Sequence, residues 1–198
     1  MTNPWELYQS RPAQVLGFHG TEKKTVDELT SGGTDHLKKS KGKFEWLGHG
    51  IYFWENDPQR GLEWAQNGNP KARIKEPDVV GAILDLGLCL DLTTRTGLDE
   101  IAQAYKTLES VYAKARLELP INSGGEDRFK RELDCQVIEA LHYFRLEVGQ
   151  PSYDSVRAPF REDKELYTGA GFHRRNHVQI AIRNPDCIKG YFRPIRKR

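Results

Sequence analysis

At 198 residues and 22.7 kDa, the chain has room for one domain or two very small ones. Hydrophobic residues make up 37% and charged residues 29%, a polar globular composition that still buries one core, with no run of the roughly 20 apolar residues a membrane span needs. A formal charge of +2 and a pI of about 8.4 are too mild to mark a nucleic-acid-binding protein by themselves. Cys89, Cys135 and Cys187 are far apart and fit neither a disulfide framework nor a CxxC zinc site, so each reads as a buried free thiol. The opening residues, MTNPWELYQSRP, lack the basic start and apolar run of a signal peptide, so the chain is expected to be cytoplasmic.

In chain order, the first element is the short apolar run Gln14 to Phe18, a buried strand leading into His19-Gly20-Thr21. Thr21 can cap a helix over Glu22 to Leu29, ended by Ser31-Gly32-Gly33. Residues 34–44 are polar and basic and read as loop. Gly50 to Trp54 is a strand by composition, and Asn56-Asp57-Pro58 opens a helix that ends at Gly68. Val79 to Leu86 is a continuous apolar strand. Helices are expected from Leu98 to about Leu117 and from about Asp127 to Leu146, each with apolar residues at helical spacing. Tyr153 to Phe160 is extended, Leu166 to Phe172 is a Gly-rich turn, and strands follow at His177 to Ile182 and Cys187 to Phe192. Strands at both ends with helices between them argue for an α+β fold.

Two blocks carry chemistry. Phe18-His19-Gly20-Thr21 stands at a strand end, where a histidine beside a glycine offers one ring nitrogen and an open backbone. Trp46-Leu47-Gly48-His49-Gly50-Ile51-Tyr52-Phe53 brackets a turn with two glycines and continues into an aromatic strand; taken alone it reads first as a tight turn before a core strand, and second as a place where a flat ligand or a phosphate approaches closely. Lysines crowd residues 38–43, Arg174 and Arg175 adjoin, and Arg193, Arg196, Lys197 and Arg198 crowd the C-terminus. The tail reads as solvated; the other two clusters suit an anionic ligand or a solvated loop.

Together and in this order, the two blocks resemble the ADP-ribosyltransferase fold in its diphtheria-toxin-like and poly(ADP-ribose)-polymerase-like branch. The third corner is the late segment Gln179-Ile180-Ala181-Ile182-Arg183-Asn184-Pro185, in which Gln179 stands where the family usually has a catalytic Glu. The blocks Trp46 to Glu55, Tyr153 to Arg157 and Gly190 to Phe192 are also similar to a bacterial family of uncharacterised ADP-ribosyltransferase-like proteins. The resemblance implies one ADP-ribosyltransferase-like domain over 1–198, built as two small antiparallel sheets around an NAD cleft, with residues 97–150 as a helical insertion.

By the same resemblance the triad is His19, Tyr52 and Gln179. His19 would hydrogen-bond the adenosine ribose, Gly20 would hold the nicotinamide carboxamide through its backbone, and Thr21 and Gly50 would assist. Tyr52 and Trp64 would stack on the nicotinamide ring, an interaction worth roughly 1 kcal/mol per face. Arg60 would meet a phosphate or the carboxamide, or else its helix simply packs on the sheet. Arg157 would pair with a phosphate, or else form a salt bridge to Asp154 or Glu162. Because Gln179 brings no charge, Glu162 first and Glu55 second are candidates for the missing carboxylate.

The activity implied is mono-ADP-ribosyl transfer from NAD to a macromolecular acceptor, RNA or DNA favoured over protein by the flanking basic clusters. The context implied is a bacterial toxin or phage-defence effector, with an antitoxin protein as a possible partner. The alternatives are an inactive module that binds NAD or ADP-ribose, marked by Gln179, and an NAD glycohydrolase in which water is the acceptor. His173 and His177 are not expected to hold a metal, since no third ligand is evident.

Overall fold

The computed structural model describes residues 14–68, 74–125 and 127–195. The N-terminal segment before them and the tail residues Arg196, Lys197 and Arg198 lie outside the described residues. Strand β1 (Val15–Glu22) leads into helix α1 (Lys23–Ser31); β2 (Ile51–Glu55) leads into α2 (Pro58–Asn67); β3 (Pro77–Leu84) and the short β4 (Cys89–Asp91) follow. Helix α3 (Arg95–Ala115) and helix α4 (Glu132–Glu147) flank a small hairpin of β5 (Asn122–Ser123) and β6 (Lys130–Arg131). The chain returns through β7 (Ser155–Phe160) and β8 (His177–Ile182), then a 3-10 turn (Pro185–Cys187) and β9 (Ile188–Phe192).

The α+β class holds, but the sheet architecture differs from the expectation of two small antiparallel sheets. Seven strands form one sheet in the order β4-β7-β8-β2-β1-β3-β9, antiparallel throughout except for the parallel β4–β7 edge pair. Hairpin β5–β6 stands apart from it. The physical reason is that β1 and β2 do pair, so the two halves are joined. The junction is narrow: β1 pairs with β3 over eight residues but with β2 only at Gly17–Glu55 and Phe18–Trp54.

Alternation along the strands sends apolar side chains to both faces. One face buries Ile51, Phe53, Val80, Leu84, Ile180 and Ile182 against Val26 and Leu29 of α1. The other buries Val156, Ala158 and Ala181 against Leu108 of α3 and Val137, Ile138 and Leu141 of α4. The residues expected to form a helical insertion thus cover one end of the second face. Helix α3 starts earlier than its apolar spacing indicates because the Thr94 side chain caps it at the Gly97 N–H. Helix α4 starts later because hairpin β5–β6 takes up the residues before it. Thr21 is strand rather than cap; the N-terminal cap position of α1 falls to Glu22, which makes no side-chain cap bond. Strand β4 has three residues, too few to show a period. No helix among the described residues is long and apolar enough to cross a membrane.

Helix α2 lies over β1 and β3. Its Asp57 side chain accepts from the Arg60 N–H and Pro58 occupies the first turn, so the helix begins where the sequence indicates. The contact is close because it is glycine on glycine: a Cβ on Gly20 would stand 2.0 Å from the Gly61 carbonyl oxygen. Backbone atoms on both sides leave nothing that can swing away, so Gly20→Ala is expected to lower the unfolding free energy by about 2–3 kcal/mol. Urea denaturation of the variant beside the parent protein checks this; an unchanged midpoint would mean that α2 is not seated on β1 as described.

Candidate functional site

The narrow β1–β2 junction has a chemical consequence. Beyond the Phe18–Trp54 pair the strands separate, and the His19 ring fills the gap: its Nδ1 lies 2.7 Å from the Tyr52 carbonyl oxygen. A carbonyl can only accept, so Nδ1 carries the proton, and in the neutral ring Nε2 is left as an acceptor with no partner among the described residues. Burial lowers the His19 pKa, opposed by the bond to Tyr52, so the ring is neutral at pH 7. It sits 6.0 Å from the Phe53 ring and 6.4 Å from the Trp64 ring, centroid to centroid.

The loop before β2 is pinned at a single turn. Gly48 is left-handed, with φ of +71°, and a Cβ there would strike the Glu139 carboxylate. The Tyr52 hydroxyl reaches back into this turn, accepting from the Leu47 N–H at 2.8 Å and donating to the Gly48 carbonyl at 2.6 Å. Burial raises its pKa well above the ordinary tyrosine value, so it stays a phenol. Glu139 of α4 accepts from the His49 N–H at 2.7 Å and from Arg183 at 2.5 Å, and Arg183 also donates to the His49 carbonyl. Burial pushes the Glu139 carboxyl up, but the Arg183 and His49 bonds outweigh it and hold the pKa below the usual glutamate value.

These elements enclose a cleft of about 510 Å³. Seven of the site residues expected from the sequence line it: His19, Gly50, Tyr52, Arg60, Trp64, Glu162 and Gln179. Gln179 stands opposite Trp54 in the β2–β8 ladder, is 9% exposed, and has no hydrogen-bond partner for its side chain among the described residues. Glu162, in the loop after β7, accepts from Arg60 Nη2 at 2.7 Å, and the Arg60 guanidinium lies 5.4 Å from the centre of the Trp54 ring. Both Arg60 and Glu162 are largely buried, so this ion pair is held in place rather than surface-screened. Trp54 Nε1 is buried without a partner among the described residues. Lys38 and Arg175, one from each expected basic cluster, reach the cleft lining.

Three expected ligand-binding residues stand elsewhere. Gly20 is sealed beneath Gly61, Thr21 continues the ladder with β3 opposite Asp78, and neither is among the residues that line the cleft. Arg157 is buried in an ion cluster: it donates to both Glu55 oxygens, at 2.5 and 3.0 Å, and lies 3.4 Å from Asp91. Its salt-bridge partners are therefore Glu55 and Asp91, not Asp154 or Glu162, and Glu55 is committed to this cluster. The Glu55 bonds raise the Arg157 pKa further against the cost of burial. Among the described residues no group of three His, Cys, Asp or Glu side chains could hold a metal ion.

Sequence reasoning missed the aromatic and acidic remainder of the cleft: Phe44, Glu45, Trp46, Phe53, Trp54, Glu63 and Phe129. Trp46 and Trp54 lie inside the Gly-rich block and its strand, so their position was available as a signal. Phe129 is brought in by hairpin β5–β6, which no periodicity announces. Compared with known proteins, the chain matches no family model, no curated protein and no solved structure.

Two buried histidines, His142 and His177, and the half-buried His19 make stability depend on pH. Burial lowers the pKa of His19 and His177, and takes His142 down to about 4. Each ring is more basic when unfolded, so the unfolded state binds more protons between the folded value and about 6.5, and stability falls as pH drops through that window. From pH 7 to pH 5, His142 alone is expected to remove about 2 kcal/mol. Urea midpoints at the two pH values, with His142→Gln shrinking the difference, check this; equal midpoints for the parent protein would contradict it.

Proposed function

We propose that the protein is a mono-ADP-ribosyltransferase that takes NAD as substrate and passes ADP-ribose to a macromolecular acceptor. The observation that carries the reading is that His19, Tyr52 and Gln179, from β1, β2 and β8, line one cleft. The cleft volume falls within the usual 300–1,000 Å³ of small-molecule sites. Its chemistry also suits a dinucleotide. Trp64 and Tyr52 offer aromatic surface to a nicotinamide ring, the Gln179 amide and His19 Nε2 offer unused hydrogen-bonding groups, and Arg60 offers positive charge to a pyrophosphate.

In the reaction so read, the bond between the ribose C1′ and the nicotinamide nitrogen breaks, and the bonding pair leaves with the neutral ring. Positive charge builds on the ribose. A nucleophilic oxygen or nitrogen of the acceptor then bonds to C1′ and releases its proton. The site would hold the substrate bent and place the nucleophile against C1′. Gln179 would orient the ribose hydroxyls. Glu162 would supply the negative charge that Gln179 lacks, its carboxylate fixed in place by Arg60; such preorganised charge typically contributes 10²–10³-fold to rate.

Incubation with adenine-labelled NAD and pools of RNA, DNA and protein tests this, with nicotinamide release and label transfer followed separately. Nicotinamide release is expected. Glu162→Gln should lower it about 10²-fold, and Gln179→Ala should cost far more than Gln179→Glu, which keeps a hydrogen-bonding group and adds charge. Absence of nicotinamide release with every pool, or equal parental rates in all three variants, would overturn the reading. Release without label transfer would make the protein a glycohydrolase.

A further inference from the structure

Outside the triad, one rim of the cleft combines two features that point to the acceptor. Phe44 and Phe129 line the cleft yet remain exposed, at 39% and 55%. They come from segments far apart in sequence, tied together by the Trp46 indole N–H, which donates to the Phe129 carbonyl at 2.9 Å. Both rings are therefore held at the opening rather than drawn into the core. Around them stand ammonium groups: Lys43 Nζ is 4.9 Å and Lys130 Nζ 6.0 Å from the centre of the Phe44 ring. Lys38 and Arg175 line the same cleft. Lys43 and Arg175 each have a carboxylate nearby, Glu132 at 3.1 Å and Asp163 at 3.7 Å, while Lys38 and Lys130 have none within ion-pair distance among the described residues.

We propose that this rim binds a single-stranded nucleic acid, whose unpaired bases stack on Phe44 and Phe129 while Lys38, Lys130 and Arg175 hold its phosphates. The proposal rests on the transferase reading only in naming this strand as the acceptor; the binding itself does not require it. Exposed flat rings beside long cationic side chains form the usual platform for single strands, where each base offers a π-face and each linkage a charge. A duplex keeps its bases stacked on one another and cannot use the rings. A protein partner fits less well, because lysine is depleted at protein interfaces while here two lysines stand beside Phe44.

Fluorescence anisotropy of end-labelled 12-nucleotide DNA and RNA strands, without NAD, tests the binding. Both strands should bind, with affinity falling as salt rises, and the matching duplex should bind more weakly. Phe44→Ala with Phe129→Ala should weaken binding at least tenfold. Lys38→Ala with Lys130→Ala should flatten the plot of log K against log salt by about 0.7 for each phosphate that is no longer neutralised. Melting temperatures close to that of the parent protein confirm that the exposed-site variants fold. Preference for the duplex, indifference to the aromatic variant, or no binding at low salt would overturn the proposal, as would NAD-derived label that goes to protein alone. Strand binding with no nicotinamide release would leave the rim standing and remove the transferase reading instead.

Discussion

The bond from the His19 imidazole to the Tyr52 carbonyl is the interaction on which the cleft depends. Backbone pairing between β1 and β2 stops at Phe18–Trp54, and a sheet that opens there would otherwise expose a strand edge to water. The ring spans the opening and fixes its own tautomer in doing so, with Nε2 turned to acceptor duty. It also fixes where Tyr52 stands, and the Tyr52 hydroxyl in turn closes the Gly48 turn. One side chain therefore sets the position of two corners of the site.

The third corner is positioned by charge. Arg183 follows β8 directly and clasps Glu139 of α4, which holds the His49 N–H, so helix α4 braces the loop before β2. Deeper in, Arg157 binds Glu55 at the end of β2 and Asp91 at the end of β4. A buried pair of this kind adds little net stability compared with a well-packed apolar equivalent, but losing one partner strands a charge, typically at a cost of about 3–5 kcal/mol. Its role is register: it fixes β2 against β7 across the intervening β8, and so fixes where Gln179 lies.

Much of this was legible in the sequence because the signals were local. His-Gly at a strand end, two glycines before an aromatic strand and an Asp-Pro helix start each depend on a few adjacent residues, and β1, β2, α2 and β8 stand close to where they were expected. What was not legible depended on distance along the chain. Nothing near Arg157 names Glu55, 102 residues away, as its partner, and its preference for two buried carboxylates over an external phosphate follows only from burial. Nor does anything near Gly20 announce Gly61 of α2, which its missing side chain admits. The joining of two expected sheets into one turned on two residue pairs, too few to leave a pattern.

The most direct measurement is the imidazole nitrogen NMR spectrum of ¹⁵N-histidine-labelled protein at pH 7, with His19→Gln to assign the signals, before and after saturating NAD. His19 should be neutral and protonated at Nδ1, with its Nε2 resonance shifting when NAD enters the cleft. A His19 ring protonated at Nε2 or at both nitrogens, or a spectrum that NAD leaves unchanged, would contradict the role given to this side chain.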